Sequence, residues 1–280
     1  MPNFNLLSLV KKAEQKFPSE ELNTRRFEAE SIISLVLNIP KIDIYIKKDF
    51  SVTDSDYDII LQMFDRRIKN EPLQYILGYT QFRNLQIKVG PGVLIPRPET
   101  EQIIDIAKSL NLNSPNVLDV GTGTGVITLS IAQEIDGATV TGVDISEKAL
   151  SYAMTNKIIN NISNVNFIIN DLCSGFQKSQ FDLIISNPPY ITTQEYNDLS
   201  PDVHDFEPKL ALESGKEGLD SICKLILQAY KKLKPKGYLL FEMGYLHGNN
   251  STKLLQAAGF NEIKILKDFN KKDRFVIGQK

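Results

Sequence analysis

The sequence predicts a doubly wound α/β fold: a mostly parallel sheet ending in an antiparallel C-terminal hairpin, preceded by a small α-helical bundle and a linking β-hairpin. Three observations predict it. After Pro98, short apolar runs of strand length alternate with helical patterns, the rhythm of a parallel sheet covered on both faces. Up to about Leu77 the apolar residues recur only at helical spacing. Between them the chain alternates and carries aromatic and β-branched residues, as strands do. These textures divide the chain into a helical domain (1–77), a hairpin linker (78–97) and an α/β domain (98–280).

The elements follow in order. Leu6, Leu7, Val10, Ala13 and Phe17 share one helical face, Ala29, Ile32, Ile33, Val36 and Leu37 a second, and Ile59, Ile60, Met63 and Ile68 a third. In the linker, Gly90-Pro91-Gly92 reads as the hairpin turn. The α/β part opens with a helix from Glu101 to about Leu110, a buried strand over 116–120 and a helix over 126–134. A strand over 138–143, a helix from Glu147 to about Ile159 and a strand over 165–169 come next. Phe181 to Ser186 is a strand stopped by two prolines, which cannot donate to a ladder. A helix near 221–233, a strand over 238–242 and a helix over 251–258 lead to strands at 262–266 and 274–278. The polar "KDFNKKD" between those two makes them an antiparallel edge hairpin.

Bulk properties exclude several classes. The chain has 280 residues, 42% hydrophobic and 24% charged, with formal net charge −2. No apolar run is long enough to span a bilayer, and the start lacks the basic front and unbroken apolar core of a secretory signal. The expectation is a cytoplasmic, monomeric protein without a membrane partner. The basic surplus of a nucleic-acid-binding protein is missing, so no direct nucleic-acid contact is expected. Cys173 and Cys223 stand far apart without a CxxC, and there are two histidines, so neither a disulfide framework nor a metal site follows. Cys173 reads as a small buried hydrophobe.

The candidate binding site starts at "VLDVGTGTG", a strand running into a glycine turn and then a helix. Gly121, Thr122, Gly123, Thr124 and Gly125 let backbone approach a ligand closely, and the helix start favours a polar or anionic group. The spacing is G-x-G-x-G with Val126 following, which is neither the dinucleotide fingerprint nor a P-loop. Asp144, ending the next strand, can accept from both hydroxyls of a ribose. Asp171 and Leu172, after the third strand, can bind an adenine edge and cover its face. Three such features at successive strand ends weigh more than one glycine loop.

"VLDVGTGTG", "GVDIS" and "FDLIISNPPY" together resemble the class I S-adenosylmethionine-dependent methyltransferases, which implies a seven-stranded sheet, S-adenosylmethionine as methyl donor and S-adenosylhomocysteine as product. The NPPY stretch resembles that of the subset methylating a planar nitrogen, either a nucleobase amine or a glutamine amide. Such a nitrogen is a poor nucleophile because its lone pair is delocalised. Acceptors holding its two hydrogens would aim the lone pair at the methyl group. The Asn187 side-chain oxygen and the Pro188 carbonyl suit that task, Pro189 stiffens the turn, and Tyr190 can stack on the planar group. Asn187, Pro188 and Tyr190 are thus the expected catalytic residues, and with Pro189 the substrate-binding ones. Asn187 is expected to border the donor too.

Other stretches separate base from glutamine. "EPLQYILGYTQF", with Pro72, Tyr75 and Gly78, "VLIPRPETE", with Pro96 to Thr100, and "DFEPKLALESGKEGL", with Glu207, Pro208, Ala211, Leu212, Gly215, Gly218 and Leu219, resemble the PrmC/HemK family of peptide chain release factor glutamine methyltransferases. The likeness spans nearly the whole chain, departing at Tyr79, Thr80 and Ser214. It implies that the partner is a release factor, that its Gly-Gly-Gln glutamine enters beside the methyl donor, and that the helical domain grips a second surface of it. Arg97 and Glu207 read equally well as loop-ordering or functional residues, Tyr75 and Phe82 as packing. A glutamine methyltransferase of a large-subunit ribosomal protein, an adenine-amine DNA or RNA methyltransferase, and a non-catalytic S-adenosylmethionine-binding module remain alternatives.

Overall fold

A computed structural model of the chain describes residues 5–47 and 50–280; the first four residues of the start considered above lie outside them. The described chain clusters into two units, one comprising residues up to Tyr79 together with Pro201–Phe206, the other Thr80–Ser200 with Glu207–Lys280. No described helix is long and apolar enough to cross a membrane.

The first unit is helical. Helices α1 (Leu6–Glu14), α2 (Leu22–Leu37), α3 (Asp43–Ile46), α4 (Asp54–Ile68) and α5 (Leu73–Leu77) start and stop on local signals. Asn5 caps α1 and Thr53 caps α4 through side-chain oxygens accepting from backbone N–H groups. Asn38 ends α2 and Gly78 ends α5 in the left-handed conformation. The faces read from sequence meet in a core of Leu6, Leu9, Val10, Ala29, Ile32, Ile33, Ile60 and Phe64, except that Ile59, read on the third face, is exposed. Arg67 and Glu28, both buried, pair there at 2.9 Å. The short α3 and α5 have too few turns to produce a periodic signal.

In the second unit, which takes up the chain from the second residue of β1, β1 (Tyr79–Phe82) and β2 (Leu85–Lys88) form the expected hairpin, but its turn is at Arg83-Asn84. Gly90-Pro91-Gly92 makes a separate turn after β2, closed by Val93 N–H on the Gly90 carbonyl at 3.4 Å. Gly90 has another reason to be glycine: a Cβ there would sit 2.4 Å from the Tyr152 hydroxyl. The chain continues through α6 (Gln102–Ser109), β3 (Asn116–Val120), α7 (Val126–Glu134), β4 (Thr139–Asp144), α8 (Glu147–Ile159), β5 (Val165–Ile169) and β6 (Phe181–Ser186). After β6 come α9 (Thr193–Asn197), α10 (Pro201–His204, grouped with the first unit), α11 (Asp220–Lys232), β7 (Leu233–Glu242), α12 (Gly248–Ala258), β8 (Asn261–Lys267) and β9 (Asp273–Gln279).

The seven main strands are ordered β5-β4-β3-β6-β7-β9-β8, parallel from β5 to β7, with β9 antiparallel to both neighbours. Leu118, Val120, Ile184, Leu239 and Phe241 from the central strands pack with Ile222, Leu225 and Ile226 of α11 on one face. Burial on both faces explains why these strands read as unbroken apolar runs.

Candidate active site

Successive strands β3, β4 and β5 step one way across the sheet, whereas β6 and β7 lie on the other side of β3. The order therefore reverses between β3 and β6, and it is outside the carboxyl ends of two such strands that open α/β sheets have their binding crevice. Val120 and Ser186 are paired at the ends of these strands, and the Ser186 hydroxyl donates to the Val120 carbonyl at 2.7 Å. Gly121 and Asn187, the next residues on each strand, thus start the two sides of the crevice.

On the β3 side, Gly121 and Gly123 take positive φ angles of 71° and 56°, and a Cβ on either would meet nothing within 4 Å. They leave a cradle of bare backbone. Gly123 N–H donates to one Asp144 carboxylate oxygen at 2.9 Å, and Ser146 N–H to the other at 2.9 Å. Asp144 thereby joins the glycine loop to the start of α8 and keeps a further acceptor site on each oxygen. Its burial raises its pKa, partly offset by these N–H donors. Gly125, Thr122 and Thr124 turn the other way. Gly125 packs against Ala153 and Phe167, the Thr122 hydroxyl donates to Asp119 at 2.6 Å, and the buried Thr124 gives its carbonyl to Asn156. Asp171 is exposed after β5, and Leu172 is half-buried with φ 50°.

Two residues here escape the sequence reading. Asp119, 0% exposed, accepts from the Thr122 hydroxyl and from the Thr128 N–H and hydroxyl on one oxygen, while its Oδ1 has no partner. Burial pushes its carboxyl up to about 6. An acid inside a run of apolar strand residues was the available signal. Ile145 is 56% exposed immediately after Asp144, an apolar side chain at a strand's carboxyl end that strand packing does not need. Cys173 is fully buried and its thiol is pushed up to about 12 by that burial, which suits the hydrophobe reading.

On the β6 side, Asn187 donates from Nδ2 to the Thr100 hydroxyl at 3.2 Å. Thr100 donates to Glu242 at 2.7 Å, and the Tyr190 hydroxyl donates to the other Glu242 oxygen at 3.1 Å. Among the hydrogen bonds of the described residues, none reaches Asn187 Oδ1 or the Pro188 carbonyl. Two adjacent acceptors therefore stand free at the end of β6. Burial, followed by the neighbouring Glu242, raises the Tyr190 pKa and keeps the phenol protonated. Glu207 accepts from Ile95 N–H at 2.9 Å and from Arg97 at 2.7 Å, so this pair orders loops. Ser214 plays a similar part, accepting from Ser221 N–H at 2.9 Å. Tyr75 and Phe82 are buried.

A glycine cradle and strand-end acid at the switch of a seven-stranded mixed sheet, with Asn-Pro-Pro-Tyr across the crevice, define a methyltransferase of the doubly wound class. A methyltransferase small-domain model matches residues 103–202, and a PrmC N-terminal domain model matches residues 8–78. The chain is 40% identical over 257 residues to a release factor glutamine methyltransferase of Thermodesulfovibrio yellowstonii, covering 90% of this chain and 92% of that one. It is 32% identical over 279 residues to one of Aliivibrio fischeri, covering 99% and 98%. Among solved structures, a methyltransferase from Pyrococcus furiosus superposes with TM-score 0.55 at 21% identity, covering 81% of this chain and 98% of that one, a likeness of fold. The chain belongs to the release factor glutamine methyltransferase family. Its methyl donor is S-adenosylmethionine, and the β3 side fits that molecule: open backbone for the charged tail, a carboxylate for the ribose and exposed apolar surface at Ile145 for the base.

Proposed function

We propose that this chain methylates the side-chain amide nitrogen of the glutamine in the Gly-Gly-Gln motif of peptide chain release factors. The observation that carries the reading is the pair of unpartnered acceptors, Asn187 Oδ1 and the Pro188 carbonyl, beginning one residue beyond the strand end paired with Val120. A primary amide has two N–H donors in one plane, and two adjacent acceptors hold both. Held so, the nitrogen cannot rotate, and its lone pair projects out of that plane towards the β3 side.

S-adenosylmethionine supplies, when bound, an electrophilic methyl group on a positively charged sulfur. The protein's part is positioning and electrostatics. Gly121 and Gly123 leave open space beside their backbone for the charged tail, Asp144 receives ribose hydroxyls, and Asp171 and Leu172 border the base. Asn187 lies at the join of donor and substrate. Pro189 stiffens the turn, and Tyr190 gives the amide a flat surface to lie on. The nitrogen's displaced proton passes to water, so no ionised side chain need act as base. Residues 1–77 provide the second grip on the release factor, 78–97 link, and 98–280 carry the chemistry. The reading places the enzyme in the cytoplasm as a monomer acting without direct nucleic-acid contact.

The test is transfer of labelled methyl from S-adenosylmethionine to purified release factor, beside a substrate with the glutamine of Gly-Gly-Gln changed to alanine, ribosomal protein and duplex DNA. Label confined to the intact release factor is expected. Label on DNA or ribosomal protein instead would replace this reading with one of the alternatives.

A further inference from the structure

Asn187 can serve as an acceptor only if its carboxamide presents oxygen, not nitrogen, to the crevice. The two ends of a carboxamide are nearly the same size, so packing alone scarcely distinguishes them. What distinguishes them is the direction of the hydrogen bonds behind the residue. We propose that Glu242, acting through Thr100, is the positioning residue that fixes which end of Asn187 faces the substrate, and that the same carboxylate orients Tyr190.

The argument follows protons. A threonine hydroxyl has one proton to give. Thr100 Oγ1 lies 2.7 Å from one oxygen of Glu242 and 3.2 Å from Asn187 Nδ2. Thr100 gives that proton to Glu242, so its remaining capacity towards Asn187 is as an acceptor. Asn187 must then turn Nδ2 inward and Oδ1 outward. The other Glu242 oxygen takes the Tyr190 hydroxyl proton at 3.1 Å, so one carboxylate fixes the direction of both arms.

Burial makes this direction binding. Glu242 is 1% exposed and Thr100 2%, which leaves water little access to replace either bond. Burial raises the Glu242 pKa, with the nearby Glu99 adding to the rise, while the two hydroxyl donors and the charge of Arg274 at the start of β9 act the other way. The three elements concerned are remote in sequence: the 3-10 turn Pro98–Glu101, the end of β6 and the end of β7. The Pro-Arg-Pro-Glu-Thr stretch thereby acquires a task in the reaction through its last residue.

This inference rests on the reading that Asn187 Oδ1 receives the substrate amide, and the experiment separates the two. Steady-state methylation of release factor by the full chain is measured for the wild type and for Asn187→Ala, Glu242→Gln, Thr100→Val and Thr100→Ser, with S-adenosylmethionine affinity by calorimetry alongside. Glutamine at 242 can donate into Thr100, freeing the Thr100 proton for Asn187 and letting the carboxamide reverse. Glu242→Gln and Thr100→Val should each lower kcat about 100-fold, the scale of one lost preorganised hydrogen bond. KM for release factor and affinity for S-adenosylmethionine should stay within about threefold. Thr100→Ser, which restores the hydroxyl, should recover kcat to within about fivefold of wild type.

Retention of kcat within about threefold in Glu242→Gln or Thr100→Val overturns the proposal. So does a loss of kcat accompanied by an equal loss of S-adenosylmethionine affinity, because that describes general damage. If Glu242→Gln does not fold, the contrast between Thr100→Val and Thr100→Ser decides. Full activity in Asn187→Ala removes the functional reading itself, and the positioning role with it.

Discussion

The loops after β3 and β6 sit on neighbouring strands, but they are held in place differently. The glycine loop is held by nearby chain: Asp119 receives Thr122 and Thr128, three and nine residues away, and Asp144 receives Gly123 across 21 residues. The Asn-Pro-Pro-Tyr loop is held across 87 residues by Thr100, 52 by Glu242, and 142 between those two. The first arrangement shapes backbone, and its glycines cooperate because no side chain is in the way. The second directs side chains, so its quality depends on distant segments arriving correctly. On the proposed function, donor binding is thus built from local geometry, and acceptor orientation from tertiary structure.

Breaking each side separately should produce different losses. The largest is expected for Asn187→Ala, which on the proposed function removes an acceptor needed most in the transition state. Its kcat should fall on the order of 1,000-fold, about 4 kcal/mol, with S-adenosylmethionine affinity nearly unchanged. An equal fall in affinity for the methyl donor would erase the distinction between the two sides.

A second loss concerns stability. Asp119 ionises near 3.8 when unfolded and at about 6 when buried. The folded state favours the protonated form, so stability falls as pH rises through this interval and stays lower above it. Asp119→Asn removes the titration. The unfolding free energy of wild type minus variant should decline by on the order of 3 kcal/mol between about pH 3 and pH 7. A flat difference in denaturant melts across that range would show that the carboxylate carries no such cost.

Smaller effects sharpen the contrast. Gly123→Ala puts a side chain at φ 56° and strains the bond to Asp144; S-adenosylmethionine should bind about 30-fold more weakly, roughly 2 kcal/mol. Its kcat at saturating donor should hold. Tyr190→Phe keeps the platform and removes one donor to Glu242, for about a tenfold loss in kcat. A larger effect on donor binding than on kcat in that variant would put Tyr190 on the wrong side of the comparison.

The same contrast explains what could be read from the chain. β3, α7, α8, β5 and β6 fall where apolar runs and the glycine turn place them, because buried parallel strands and helix starts are written locally. The linker turn was misplaced for a related reason: Gly90-Pro91-Gly92 carries the stronger turn signal, while Arg83 adopts positive φ without a residue type that announces it. Helix α9 and the 3-10 turn Lys209–Ala211 are too short for periodicity to reveal them. Asn187 and Tyr190 stand out in sequence, but nothing near them names Thr100 or Glu242. Their partnership exists only once β6 and β7 lie side by side.

The pairing of Val120 with Ser186 has a further consequence. Adjacent strands in any sheet run about 4.8 Å apart, a spacing set by the peptide hydrogen bond and indifferent to side chains. The glycine loop and the Asn-Pro-Pro-Tyr loop each leave one of these two strands at the same rung of the ladder. The sheet thus works as a ruler whose unit no point mutation can rescale. Drift in surface residues, loop lengths or the helical unit can accumulate around the crevice while the starting points of its two sides keep their separation.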